Sequence, residues 1–341
     1  MTGPTTPEQL VDGFGRVHRD LRISVTDRCN FRCTYCMPEE GMQWMAREEI
    51  LTFEEITRIA RVFVERYGVD SIRLTGGEPT VRAHLPVLVA KLAALGVELA
   101  MTTNGSTLRS QAQALADAGL RRINVSLDSL RRDRFLELTR RDELDRVLDG
   151  IEAAQEAGLD PVKINVVLVG GVNDDEVVDF ARFGRDNDVT VRFIEFMPLD
   201  ADGGWEHAQV VPQAEIVRRI AEVFPMEPVV RGHEPAEQWR YLDRPAGRAG
   251  ASAGDVVGVI PTVTRPFCES CDRVRLTAEG QLRNCLFALD EFDLRAPLRE
   301  GGTDDDLAAV MQRAVGAKWA GHAIGNVQFI RPRKSMSQIG G

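Results

Sequence analysis

The chain has 341 residues, 43% of them apolar and 28% charged, the profile of a globular protein with a real core in one large domain or a large one plus a smaller one. A net charge of −10 argues against a general nucleic-acid binder, and no apolar run approaches the roughly 18 residues of a membrane span. The opening "MTGPTTPEQL" lacks the apolar stretch of a secretory signal, so the expected compartment is the cytoplasm, where clustered cysteines more often bind metal than pair.

From residue 20 to about 200, short β-rich runs alternate with helical patterns. Strands are expected at 21–26, 71–75, 97–103, 122–128, 163–169 and 191–197. Between the first two lies "TFEEITRIARVFVERYG", with a Thr52/Glu55 capping box, Ile56, Ile59, Ala60 and Phe63 on one face, and Gly68 at its stop. "NDDEVVDFARFG" repeats that logic from Asn173 and Glu176 to Gly184. Six βα units make parallel strands with right-handed crossovers, and periodicity leaves a doubly wound sheet and a partial barrel equally open. In either, chemistry is expected at the carboxyl ends of the strands. Cys29, the run Gly76-Gly77-Glu78-Pro79, Thr102 to Gly105 and Ser126 to Asp128 all fall there. From about residue 210 the pattern changes to a helix in "AEIVRRIAEVF", a strand in "DVVGVIPTV" and a hairpin in "RVRLTAEGQLRNCLF" turning at Glu279-Gly280. The final "RPRKSMSQIGG" carries no packing pattern.

All six cysteines fall into two sets of three: Cys29, Cys33 and Cys36, spaced C-x3-C-x2-C, and Cys268, Cys271 and Cys285, spaced C-x2-C-x13-C. Random placement would produce the first spacing only about 0.002 times in such a chain. Structural zinc wants four ligands, and the histidines at 18, 84, 207, 233 and 322 stand at no regular distance from either set. Three thiolates suit a [4Fe–4S] cluster whose fourth iron stays open to a ligand, although a fourth protein ligand supplied by the fold would restore zinc. If "CDRVR" is extended, Cys271, Arg273 and Arg275 share a face suited to phosphate, and the hairpin returns Cys285 towards Cys271.

The first cysteine run, with Tyr35 before Cys36, and "TGGEP" at 75–79 resemble the two signatures of the radical S-adenosylmethionine superfamily. Further segments in order, "FGRVHRDLRISVTDRCNFRCTYCMP", "TTNG", "INVSLDSL", "KINVVL", "RFIEFMPL", "FCESCDRVRLTAEGQLRNCLF" and the terminal "GG", are similar to the GTP 3′,8-cyclase (molybdenum cofactor biosynthesis protein A) family. That resemblance implies an α/β fold, a partial (βα)6 TIM-like barrel with a C-terminal α+β extension closing the open side. It divides the chain into an N-terminal segment 1–20, a barrel 21–205, a cluster-bearing region 206–330 and an active-site tail 331–341.

It also implies two [4Fe–4S] clusters with S-adenosyl-L-methionine as cofactor, held by Cys29, Cys33 and Cys36 and by Cys268, Cys271 and Cys285. Tyr35, Gly77, Ser126 and Met197 correspond to S-adenosylmethionine contacts, and Arg22, Arg73, Thr102, Lys163, Arg273 and Arg275 to GTP contacts. Arg22, Arg273, Arg275, Gly340 and Gly341 are the expected catalytic residues, the tail reaching in beside the arginines. Implied partners are GTP, a flavodoxin- or ferredoxin-like electron donor, a downstream cyclic pyranopterin monophosphate synthase and a second copy in a homodimer, with no nucleic acid and no membrane. A peptide-modifying radical enzyme and a scaffold with two zinc sites are the rival readings.

Overall fold

The computed structural model describes residues 7–38, 42–199, 203–230, 232, 234–244, 252–324, 329–332 and 334–340. Twelve strands form one sheet: β1 Asp20–Ser24, β2 Ser71–Thr75, β3 Glu98–Thr103, β4 Arg122–Ser126, β5 Val162–Leu168, β6 Thr190–Glu195, β7 Met226–Pro228, β8 Glu237–Tyr241, β9 Val256–Ile260, β10 Arg273–Leu276, β11 Gln281–Arg283 and β12 Phe292–Asp293. Their order is β12-β11-β10-β1-β2-β3-β4-β5-β6-β9-β8-β7. The run from β10 through β1–β6 to β9 is parallel throughout. Among the described residues β9 and β10 do not pair, so the barrel remains open. The C-terminal region thus adds a parallel strand to each edge of the six-stranded core, and each is followed outward by antiparallel partners.

Strict alternation along the strands decides what faces where. Leu21, Ile23, Ile72, Leu74, Leu99, Met101, Ile123, Val125, Ile164, Val166, Val191 and Phe193 are fully or almost fully buried in the core. Each such side chain contributes roughly 1.5–3 kcal/mol of transfer free energy. The alternate positions carry Arg22, Arg73, Thr102, Asn124, Lys163, Asn165 and Arg192. Register sets them in layers: Arg275, Arg22, Arg73 and Ala100 are successive partners, as are Thr102, Asn124 and Lys163, and Asn165, Arg192 and Gly258. A polar interior inside an apolar shell is therefore written into the period-2 pattern.

The helices are α1 Phe53–Arg61, α2 Leu85–Ala93, α3 Ala112–Asp117, α4 Arg132–Thr139, α5 Leu144–Glu156, α6 Val177–Asp186, α7 Gln213–Ala221, α8 Arg295–Arg299, α9 Asp304–Gly316 and α10 Met336–Ile339. The Thr52/Glu55 capping box forms at α1 as expected, and Ile56, Ile59 and Ala60 are buried. The helix then widens into a π-turn at Val62–Arg66 before Gly68. The second expected cap differs. Asn173 does not cap α6; its side chain joins Val169 N, Val167 O and Asp128 O, tying the ends of β4 and β5 together. The tail read as patternless has structure over 334–340: α10 buries Ile339 and Ser337, and Lys334 is paired with Glu279 and Glu291.

Candidate active site

At the carboxyl end of β1 the chain runs through Thr26 to Arg28 beside the loop after β2, with Gly77 N donating to Thr26 O and Glu78 N to Arg28 O. A Cβ on Gly77 would stand 2.4 Å from Arg28 O and 2.5 Å from Asp27 O, so only glycine permits this contact. Glu78 is buried beneath it and accepts from Thr103 Oγ1 and Asn104 N, welding the ends of β2 and β3. The first cysteine loop follows. Cys36 N and Met37 N close onto Cys33 O, while Arg32 N and Thr34 N bond the end of α4 at Thr139 and Leu138. Tyr35 Oη donates to Asp128 Oδ2 at 2.5 Å, and Asp128 Oδ1 accepts from Val167 N. Burial raises all three thiols, Cys29 to about 12 and Cys36 to about 11. Burial likewise raises the carboxyls beside them, Glu78 and Asp128, the latter to about 6.

The second set lies on another wall of the same cavity, which spans about 1690 Å³ counted out to its open mouth. Cys29, Cys33, Tyr35, Cys36, Gly77, Ser126, Met197, Cys268, Cys271 and Cys285 all line it, with Arg22, Arg73, Thr102, Arg273 and Arg275. Arg273 and Arg275 alternate on β10 and pair in register with Asp20 and Arg22. Cys271 precedes them in extended backbone, so the expected shared face forms. Burial works to raise Cys271, but Arg273 and Lys318 draw it down to about 6.

The mouth opens at the amino ends of the strands rather than the carboxyl ends. It is lined by Arg22, Arg73, Arg122, Lys163, Arg192 and Arg273 against Asp20, Glu98, Glu234 and Asp272, a local cationic excess in a chain of net charge −10. Burial and the neighbouring Arg73 and Arg273 push the Arg22 guanidinium well below its usual range, and burial brings Lys163 to about 8. The Nε atoms of Arg22, Arg73 and Arg275 are buried with no hydrogen-bond acceptor. Crowded cations with unspent donors fit an anionic guest carrying several oxygens.

The donor sets also fit their implied groups: three half-buried thiols per set, each set on a wall of one cavity. Among the described residues no three His, Cys, Asp or Glu side chains meet closely enough to hold a single metal ion, so neither set stands preformed as a one-ion site. Of the described histidines, His322 reaches the cavity wall, packed against Phe287 at 5.2 Å between ring centroids.

Of the expected tail residues, Gly340 is buried at φ +79°, where a Cβ would stand 2.7 Å from Thr75 Oγ1 and 2.9 Å from Ser24 Cβ. Its neighbour Ser337 lies against Cys36 and Met42, so the tail docks on the first cysteine loop; Gly341 lies outside the described residues. Sequence reasoning missed Arg192, whose guanidinium is held by Asn124 and Asn165, and also Arg122. The signal was available: a charged or amide side chain at an inward position of a strand whose other face is apolar.

Two family models match the chain, the radical SAM superfamily over residues 23–184 and Molybdenum Cofactor Synthesis C over 189–324. The GTP 3′,8-cyclase of Streptomyces coelicolor is 48% identical over 97% of this chain and 96% of its own length. That of Rhodopirellula baltica is 46% identical over 100% and 94%. The crystal structure of Streptococcus suis SuiB bound to S-adenosylmethionine has the same kind of fold, with a TM-score of 0.59 at 15% identity, covering 87% of this chain and 68% of that one.

Proposed function

The chain belongs to the GTP 3′,8-cyclase family of the radical SAM superfamily, and on that premise we propose that it converts GTP to (8S)-3′,8-cyclo-7,8-dihydroguanosine 5′-triphosphate, the first step of molybdenum cofactor biosynthesis. The observation that carries this reading is one cavity with a cysteine triad on each of two walls and a cationic mouth at its amino end.

When bound, the clusters supply the electron that cleaves S-adenosylmethionine to a 5′-deoxyadenosyl radical and an open iron that anchors the purine. Cys29, Cys33 and Cys36 would hold one cluster, Cys268, Cys271 and Cys285 the other. Tyr35, Gly77, Ser126 and Met197 border the S-adenosylmethionine end, where the tight Gly77 turn lets main chain approach the ligand. Arg22, Arg73, Lys163, Arg273 and Arg275 neutralise and orient the triphosphate, and Thr102 lies between the two ends. The ribose is thereby held with C3′ towards the radical. A hydrogen atom would pass from C3′ to the 5′-deoxyadenosyl radical, giving 5′-deoxyadenosine; the carbon radical left behind would bond to C8 of the base, and a second electron from the external donor with a proton at N7 would complete the 7,8-dihydro product. Phe31, Val167, Ile194, Ile260 and Phe287 give the chamber apolar walls that keep water from that radical. Gly340 packs on Ser24 and Thr75 at the ends of β1 and β2.

An electron donor of the flavodoxin or ferredoxin type, a cyclic pyranopterin monophosphate synthase downstream, a homodimeric assembly and a cytoplasmic location complete the proposal. No helix among the described residues is long and apolar enough to cross a membrane.

The test is an anaerobic assay of reconstituted protein with S-adenosylmethionine, a strong reductant and GTP. Equal formation of 5′-deoxyadenosine and a cyclised GTP product is expected, with the cyclised product lost in Cys271→Ser. Deoxyadenosine formed without GTP consumption would overturn the substrate, and neither product at full iron loading would overturn the enzyme reading.

A further inference from the structure

Behind the second cysteine set lies a buried polar chain that the reaction above does not use. Residues 11–17 form a small loop closed by a Val11–Val17 bridge, and Asp12 organises it by accepting from Phe14 N, Arg16 N and Arg16 Nε. Arg16 reaches out of that loop to donate to Cys268 O at 2.6 Å and to Trp319 O at 2.6 Å. Asp12 Oδ2 also meets His18 Nε2 at 3.1 Å, and His18 Nδ1 faces Lys318 Nζ at 3.5 Å. Lys318 Nζ in turn donates to Arg273 O at 2.8 Å, Cys271 O at 3.2 Å and Cys271 Sγ at 3.6 Å.

Asp12, His18 and Lys318 are 6%, 0% and 5% exposed, a level of burial charged groups reach only when paired. Arg16 and Asp12 hold a direct ion pair, so Asp12 is the carboxylate of this chain and His18 the donor from Nε2. The lone pair of Nδ1 is then left facing the ammonium. Every group at Lys318 Nζ (two carbonyls, an imidazole nitrogen and a sulfur) is thus an acceptor. A lysine needed only to satisfy two carbonyls would not require a sulfur within reach or a buried histidine and carboxylate behind it.

We propose that Lys318 is a positioning residue for the second cluster: its ammonium donates to the Cys271 thiolate, and His18 and Asp12 hold it there, fixing that ligand's direction and raising the cluster's reduction potential. The inference rests on the reading of Cys268, Cys271 and Cys285 as cluster ligands. A cation hydrogen-bonded to a cluster sulfur stabilises the reduced, more negative state, and such partners behind the ligands are what tune a metal site. Through Arg16 and Lys318 the N-terminal loop grips both Cys268 and Cys271, so the loop and cluster are built together.

The test uses reconstituted holoenzyme carrying Lys318→Met, with Lys318→Arg and Asp12→Asn beside it, each first assayed for iron and acid-labile sulfide. Potentiometric titration followed by electron paramagnetic resonance reads each cluster separately, the second being the one whose signal is lost in Cys268→Ser. Lys318→Met is expected to shift the second cluster's potential to more negative values and leave the first unchanged. Lys318→Arg should restore most of the wild-type value, and Asp12→Asn, which acts from outside the thiolates, should give a smaller shift of the same sign. A purely structural lysine would lower thermal stability with both potentials unmoved, and that result in Lys318→Met and Asp12→Asn would overturn the proposal. Should Lys318→Met fail to load its cluster, Asp12→Asn alone decides. A shift seen in a cluster whose signal GTP leaves untouched would support Lys318 and sink the substrate reading, so the two fail separately.

Discussion

The two cysteine walls are built on opposite principles. Around Cys29, Cys33 and Cys36 the carboxyls of Glu78 and Asp128 outweigh the one nearby cation, Arg32, burial raises every thiol, and main-chain fit holds the loop, through Gly77 against Arg28 and the Tyr35–Asp128 bond. Around Cys271 the neighbours are Arg273, Arg275 and Lys318, and the thiol is drawn to about 6. The first wall suits a guest that brings its own positive sulfonium; the second suits one that brings phosphates. An enzyme that must seat a zwitterion and a polyanion in one chamber needs this polarity, and the chain draws it from different sources, steric fit at one end and charge at the other.

The sharpest way to break that contrast is Gly77→Ala. A methyl 2.4 Å from a main-chain oxygen cannot be relieved by rotating a side chain, so the Arg28–Cys29 segment must move. Complete loss of S-adenosylmethionine cleavage is expected, with iron for about one cluster remaining and the GTP-sensitive resonance of the second intact. An alanine variant that loads both clusters and cleaves S-adenosylmethionine normally would show that steric fit is not what holds the first wall.

Tyr35→Phe is a milder cut at the same wall. It leaves Asp128, a buried carboxyl whose pKa burial has raised to about 6, with one partner fewer. An unsatisfied buried acceptor costs about 1–3 kcal/mol. Urea unfolding should report a loss of that order, with a several-fold weaker S-adenosylmethionine dissociation constant and unchanged GTP binding. Equal weakening of both ligands would mean that the two walls are mechanically one.

What could be read in the sequence follows the same division. The six core strands were legible because each alternates, the fit to 71–75 being complete, and Gly77 and the cysteine spacing announced the first wall. The choice of a barrel over a flat sheet depended on the family resemblance, because strand periodicity is the same in both. Alternation marked Arg22 and Arg73 as inward, but that they gather with Arg122 and Lys163 at an amino-end mouth was not legible, since strand order and register bring together residues far apart in the chain. The Lys318 chain spans some 300 positions from His18, and α10 has too few residues for any period to show. Long-range pairing of single polar residues leaves no local trace.

Lys163 offers the finest test, because among the described residues it is the mouth's one lysine beside arginines. Burial first, then Arg192 and Arg122, lower its pKa to about 8, with Glu234 at 3.3 Å opposing them. Phosphate favours the charged amine, so the bound complex keeps a proton that the free enzyme gives up as pH rises through about 8. The sign follows: GTP affinity is level below that value and falls above it, by at most about tenfold per pH unit for one proton taken up on binding. The triphosphate is already ionised there, phosphate having its second pKa near 6. Any titration of the guanine itself is common to every variant. In Lys163→Arg the charge persists across the range, so its affinity should follow only the guanine's titration. Anaerobic equilibrium dialysis of GTP from pH 7 to 9.5 on both proteins reads the difference directly. Parallel curves would place Lys163 away from the phosphates and leave Arg22, Arg73 and Arg273 to bind them without it.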